Sequence, residues 1–420
     1  VFHEEDAAVV TEMPRLSSAQ AASRLGIKLE TLYAYVSRGL LVSERAEDGG
    51  STFDPLEVEA FAASRRRGST PPAAARGMRG RPIMVMDSDV TLIEGDELYF
   101  RGRPATELAR RLSFEQAVSF LWTSSASTDQ LEGFVSRRPV VAAARRAFAA
   151  LGSTARLVDR LSLAVIVAGS WDPERRASDP SAIRHAGRQM IATMVGALSD
   201  LGEAPPRTVS VIERLWPKLS SGAASADDLR LLNAAMVLCV EHDLAISTMA
   251  ARIAASARAD PYAAVAAALS AFDSAVHGAA SIAASEMIEA TIRTGNAGRT
   301  LADQVAKTRM IPGFGHLVYR REDPRARFLL DAMRRIPRFR EALAAADTLA
   351  AVVAERSPRP VNLDLALAVL VIGSGMRRDA GEVLFAVSRT AGWIAHIIDE
   401  YAQPALRLRP ESRYVGPRPG

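Results

Sequence analysis

From Pro82 onward the sequence is written almost entirely in helical periods, and two stretches, DPYAAVAAALSAF (260–272) and LDLALAVLVIGSGM (363–376), are apolar on nearly every face. A helix without a polar face must be covered on several sides, and its alanines let the covering helices come close. This predicts a mainly all-α body of several packed helices. At 420 residues the chain exceeds one ordinary core, so two or three domains are expected. Cys239 is the single cysteine, which excludes an intrachain disulfide and suits a reducing compartment. No run of about 18 or more apolar residues occurs and the first residues are polar and acidic, so a soluble, cytoplasmic protein with no membrane partner is expected.

The net charge is +4, and the basic charge is nearly all arginine, since lysine occurs only at Lys28, Lys218 and Lys307. Arginine offers a planar fork of donors that fits carboxylates and phosphates. Most of these arginines read as a product of composition rather than as ligands.

The N-terminal part has a different texture. Residues 1–15 carry no period and read as a loose tail. SSAQAASRLGIKLETLYAYVSRGLL (17–41) gives a serine cap, a helix through Leu25, a turn at Gly26 and a second helix with Leu29, Leu32, Val36 and Leu40 in helical register. A strand edge at Thr52–Phe53 and a third helix from Asp54–Pro55 follow. Residues 16–64 resemble a small winged helix-turn-helix domain of the MerR and excisionase type. The resemblance implies DNA contact through the second helix, with Lys28, Tyr33 and Arg38 as candidates. That helix also offers Ala34, Tyr35 and Ser37, and Tyr33 stands where the pattern usually has arginine, so a docking or oligomerisation module stays open beside DNA binding. Residues 65–82, RRRGSTPPAAARGMRGRP, hold six arginines and no acid and read as a basic linker. MVMDSDVTLIEGDELYFRG (84–102) alternates as a short strand or hairpin.

GFGHLVYRREDPR (313–325) breaks the helical pattern. Gly313 and Gly315 flank the approach to His316, and glycine lets a backbone come close to a ligand. His277 directly precedes Gly278, and His242 sits between Glu241 and Asp243, where carboxylates would fix a ring. Their separations are too long for a local metal motif, and Cys239 stands alone, so no metal is expected. No G-x-S-x-G occurs. Arg325, Arg389 and Arg409 are suited to a di- or tricarboxylate. Asp364 opens an apolar helix, where burial would raise its pKa as a general base needs, or where it would be an ordinary N-cap.

YFRGRPATELARRLSFEQAVSFLW, EHDLAIST, AVHGAAS, PGFGHLVYRREDPRARFL, NLD, VLFAVSRTAGWIAHIIDEY and RPESRYVG follow one another in the order of the citrate synthase family. Residues 83–418 resemble that family. The resemblance implies its multi-helical fold, with a large domain over 83–278 and 380–420 and a small one over about 279–379. It implies condensation of acetyl-CoA with oxaloacetate and water to give citrate and CoA, with acetyl-CoA a substrate and no cofactor. His277, His316 and Asp364 are the implied catalytic residues, and His242, Arg325, Arg389 and Arg409 the implied oxaloacetate ligands. Arg409 would reach over from the second subunit of a homodimer or higher homo-oligomer. Phe385 matches an aromatic lining residue or plain helix core, and Gly313, Gly315 and Arg320 match CoA-binding positions. Where the family usually has asparagine this sequence has Ala245 and Ser281, and LALA follows Asp364 in place of an aromatic-serine-glycine run. A 2-methylcitrate synthase using propionyl-CoA, or a metabolite-sensing DNA-binding regulator, are the alternatives.

Overall fold

A computed structural model describes residues 13–46, 49–68, 85–125, 131–206, 209–274 and 280–416. They divide into two compact units, the first drawn from Val1–Ser88, Ile93–Glu97 and Ala279–Gly381, the second from Asp89–Leu92, Leu98–Gly278 and Glu382–Gly420. Among the described residues, no helix is long and apolar enough to cross a membrane.

The first unit begins with β1 (Leu16–Ser17), α1 (Ser18–Leu25), α2 (Leu29–Ser37), β2 (Glu44–Arg45), β3 (Ser51–Phe53) and α3 (Pro55–Gly68). Ser17 starts α1 through a reciprocal cap: its hydroxyl accepts from the Gln20 amide at 3.3 Å while Gln20 Oε1 accepts from the Ser17 amide at 2.9 Å. Gly26 ends the helix at φ +64°, the left-handed conformation that glycine adopts without strain. Ala21, Ala22, Leu32, Leu41, Phe53 and Val58 form one small core.

Several details differ from the sequence reading. Thr52 and Phe53 are on the central strand, since the sheet order is β1-β3-β2 with both pairings antiparallel. α2 stops at Ser37, so Leu40 lies beyond it and is exposed; Leu29, its first residue, is exposed as well, while Leu32 is buried and Val36 packs on the core. Tyr35 turns inward against Phe61, ring centroids 5.1 Å apart. Met13 is buried and Arg15 Nε donates to Thr52 Oγ1 at 3.0 Å, so residues 13–15 are tied down. α3 runs through Gly68, four residues into the stretch read as linker, and 69–84 lie outside the described residues.

The same unit contains helices Ala280–Thr294, Ala297–Thr308, Pro324–Met333, Arg340–Arg356 and Leu363–Gly373. Leu365 through Val371 are all buried, as an all-round apolar helix requires. α3 packs against Ala297–Thr308, and Asp54 acts twice there. Its Oδ1 accepts from the Leu56 amide at 2.7 Å, starting α3, and its Oδ2 pairs with Arg356 Nε at 3.0 Å. A second sheet, order β4-β5-β6, comprises β4 (Thr91–Glu94), β5 (Glu97–Phe100) and β6 (Arg103–Pro104). Its two-residue turns, Gly95–Asp96 and Arg101–Gly102, have positive φ at both positions, which matches the twist of an antiparallel hairpin.

The second unit is helical. Ser113, Asp179, Ser210, Ser225 and Asp260 each cap the start of a helix with a side-chain oxygen. Helices Ile246–Ser256 and Pro261–Phe272 pack on one another. The 22-residue helix Ala380–Tyr401 carries fully buried Trp393, and its Ala391 carbonyl accepts from Trp122 Nε1 at 2.8 Å.

Candidate active site

Four charged or titratable groups meet in the first unit: His316, Asp323, Arg325 and Asp364. Their meeting rests on backbone. Gly313 and Gly315 both have φ +84°, which folds the loop back on the segment before helix Leu363–Gly373. Phe314 bridges Val361, the Gly315 amide donates to the Pro360 carbonyl at 2.7 Å, and the Asn362 amide donates to the Gly313 carbonyl at 2.9 Å. Asn362 Nδ2 adds a bond to the Gly315 carbonyl at 2.9 Å, and its Oδ1 accepts from the Asp364 amide at 3.0 Å. Asn362 is therefore the N-cap, and Asp364 lies inside the first turn.

The loop's far end is pinned as well. Asp96, at the tip of the first hairpin, accepts from the Arg320 amide at 2.7 Å and the Arg321 amide at 3.3 Å. The Arg320 amide is the main reason that Asp96 titrates below its ordinary range. The Arg320 side chain is exposed.

Asp323 organises the interior. It caps helix Pro324–Met333, holds Arg325 through Nε at 2.9 Å and Nη2 at 2.8 Å, and accepts from the Leu363 amide at 3.1 Å. Burial pushes its pKa up, but the charge and hydrogen bonds of Arg325 outweigh burial and hold it below the usual carboxylate range. Arg325 is buried and lies over the Tyr319 ring. Asp323 is not among the residues that the sequence pattern singled out. The available signal was Asp-Pro-Arg, which puts a capping carboxylate within reach of the arginine two residues on.

Asp364 and His316 respond to this setting in opposite senses. Burial raises Asp364 to about 7, with Arg325 opposing and Asp323 reinforcing the shift. Burial, and then the charge of Arg325, lower His316 to about 4, with Asp323 opposing. At neutral pH His316 is thus uncharged and Asp364 is poised between its two forms. The Val318 amide donates to His316 Nδ1 at 3.2 Å, which leaves the ring proton on Nε2. Arg325 Nη2 lies 3.5 Å from that nitrogen. Two donors that cannot satisfy each other converge there, an arrangement suited to an oxygen bearing negative charge.

The second unit holds His242, Arg389, Phe385 and Arg409. Arg389 is fully buried, its Nε donates to the Cys239 carbonyl at 2.9 Å and its guanidinium lies 4.7 Å from the Phe385 ring centre. Phe385 also packs against Phe272, centroids 5.3 Å apart. His242 is half-buried between helices Ala226–Cys239 and Ile246–Ser256 in sequence. Its two acidic neighbours part ways: Glu241 is buried and bonds His396 Nε2 at 3.2 Å, while Asp243 is exposed with φ +55°. Ala245 is the N-cap of helix Ile246–Ser256 and makes no side-chain cap bond. Arg409 is exposed. His277 and Gly278 lie outside the described residues.

Behind these residues runs an ionic chain that the sequence reading missed. Arg252 Nη1 donates to His396 Nδ1 at 2.8 Å, which puts the His396 proton on Nε2 toward Glu241. Arg252 Nε also donates to Glu400 at 3.0 Å, and Arg407 reaches the same carboxylate at 2.6 Å. Its sequence signal was Arg252, His396 and Glu400, ionisable residues set among the apolar residues of two helices. Among the described residues no group of His, Cys, Asp and Glu side chains is gathered as a metal site.

Comparison with known proteins identifies the family. The family model for the citrate synthase C-terminal domain matches residues 77–411. The chain is 28% identical to 2-methylcitrate synthase 1 of Corynebacterium glutamicum over 77% of its own length and 90% of the relative's. It is 27% identical to citrate synthase 2 of Bacillus subtilis, covering 82% and 96%. The crystal structure of citrate synthase from Thermotoga maritima superposes with a TM-score of 0.67 at 25% identity, covering 82% of this chain and 96% of that one. With a match across most of its length and a multi-helical fold in common, this chain belongs to the citrate synthase family.

Proposed function

We propose that Asp364, His316 and Arg325 form the reacting part of a citrate synthase site. The chain is an acyltransferase that condenses acetyl-CoA with oxaloacetate and water to give citrate and CoA, with acetyl-CoA a substrate and no resident cofactor required. Asp364 takes a proton from the acetyl methyl group, and the resulting enolate carbon attacks the keto carbon of oxaloacetate. His316 stabilises the growing alkoxide with a hydrogen bond from Nε2, with Arg325 alongside, and the alkoxide takes up one proton from solvent as Asp364 releases the one it removed. Water then cleaves the thioester, releasing CoA thiol and citrate. His277 takes the role of donor to the thioester oxygen. His242, Arg325, Arg389 and Arg409 take the oxaloacetate carboxylates, Phe385 lines the site, and Arg320 with the Gly313–Gly315 backbone meets CoA.

The observation that carries this reading is Asp364 itself: a half-buried carboxyl held at about 7, on a helix start stitched through Asn362 to the loop of His316. A general base is most effective when its pKa is near the working pH. Purified protein given oxaloacetate and acetyl-CoA should release CoA thiol. Absence of release with acetyl- and propionyl-CoA alike would refute the assignment.

Propionyl-CoA is the second reading for the acyl donor. It is favoured by the apolar Leu365–Ala366–Leu367 run that follows Asp364, and by the likeness to a 2-methylcitrate synthase. The ratio of kcat/KM for the two thioesters decides it. Residues 16–64 fit a winged helix-turn-helix module, with Lys28, Tyr33 and Arg38 exposed on or beside α2. If it is a metabolite-responsive DNA-binding element, a gel shift at physiological salt should exceed non-specific affinity. A cytoplasmic homodimer in which Arg409 serves the opposite subunit's site completes the reading. Mixing Arg409→Ala with Asp364→Asn chains tests it, because each hybrid dimer then holds one site with both groups intact and should regain activity.

A further inference from the structure

The groove at the end of α1 has no part in the chemistry above. Arg24 in the last turn of α1, Arg65 on α3 and Arg309 at the end of helix Ala297–Thr308 line it, with Gly26 and Ala62 between them. The cavity is about 280 Å³, room for a small anion.

Three guanidiniums in one groove repel one another unless something negative lies among them. The protein supplies little. Arg65 Nη1 donates to the Leu25 carbonyl at 3.3 Å and its guanidinium lies over the Tyr35 ring. Arg24 Nη1 is buried and has no hydrogen-bond acceptor among the described residues. Its nearest carboxylate, Glu59, stays at 3.8 Å, beyond hydrogen-bond reach, and Glu59 Oε1 is likewise unbonded. Arg309 is exposed, and its backbone is held at φ +58°, where a non-glycine residue is uncommon. Helix C-termini favour cations, which accounts for one arginine at each end. It does not account for all three converging on one groove where, among the described residues, the charge of Arg24 is met only by Glu59 at 3.8 Å.

We propose that this groove binds the phosphate groups of a small phosphorylated molecule, with Arg24, Arg65 and Arg309 as its ligands. Guanidinium forks match phosphate oxygens in pairs, and such charge-assisted bonds are among the stronger ones available at a protein surface. A ligand seated there joins the N-terminal elements to helix Ala297–Thr308. Binding is independent of the catalytic assignment and can fail or succeed without it.

The test is titration calorimetry of the full chain with pyrophosphate and, separately, with a short DNA duplex, at about 150 mM salt. Arg24→Gln and Arg309→Gly are the variants; the second removes a charge while easing a left-handed backbone, so it keeps the test sound if the first folds poorly. Pyrophosphate binding that falls at least about tenfold in either folded variant supports the site. Two results overturn it: no pyrophosphate binding to the unaltered chain, whether or not the duplex binds, or pyrophosphate binding in both folded variants within about tenfold of that of the unaltered chain.

Discussion

Two clusters of buried charge treat their members in opposite ways. In the second unit Glu241, His396, Arg252 and Glu400 are each almost wholly buried, and each has a bonded partner of opposite character. In the first unit Asp323 and Arg325 satisfy each other, but His316 and Asp364 are left with pKa values pushed to about 4 and about 7. A neutralised cluster holds helices together, whereas a cluster with displaced protonation is prepared to move a proton.

The comparison can be broken at its strongest point by Asp364→Asn. We expect CoA thiol release to fall by about 100- to 10,000-fold, the range for loss of a general base, with the melting profile little changed. In the opposing cluster, Glu400→Ala should leave Arg252 and Arg407 without their shared carboxylate and cost about 3–5 kcal/mol of stability. Denaturant unfolding measures it. If Glu400→Ala left stability intact and Asp364→Asn unfolded the chain, the two clusters would have been assigned the wrong way round.

Titration sharpens the contrast. A base must be unprotonated to act, so kcat/KM should rise about tenfold per pH unit below about 7 and level above it. His316, neutral above about 4, adds no limb between pH 5 and 8. A rate that fell with rising pH across that window would refute Asp364 as base. The folded chain also retains the Asp364 proton between the ordinary value of 3.8 and about 7 while the unfolded chain loses it. The contribution of this group to stability therefore declines as pH rises through that window.

Smaller effects follow from backbone. Gly313→Ala would place a methyl group 2.9 Å from Leu365 Cβ at φ +84°, so a loss of about 1–3 kcal/mol is expected, with a rise in KM as the loop shifts. Ala245→Asn supplies the missing cap to helix Ile246–Ser256 and should add about 1 kcal/mol, read as a higher melting temperature.

Local features were the most legible in the sequence. Ser17, Gly26 and Asp54 announce their caps because a cap depends on a few adjacent residues. The all-round apolar run at 363–373 announced a buried helix. The loop glycines announced a departure from helix, but not what would hold it. Asn362, Asp96 and Asp323 act on residues 40 or more positions away, or by a choice among several donors, and no period or motif encodes that choice. Tyr35 misled for the same reason, since whether it faces Phe61 or solvent depends on where α3 returns.

Cys239 is fully buried and is the only thiol in the chain, and its carbonyl is engaged by Arg389. A thiol reagent added to the native protein therefore meets a silent background, and colour developed during turnover belongs to released CoA alone. In denaturant the same reagent should count one sulfur per chain, so a single chemical probe reads both turnover and the opening of the core around Arg389.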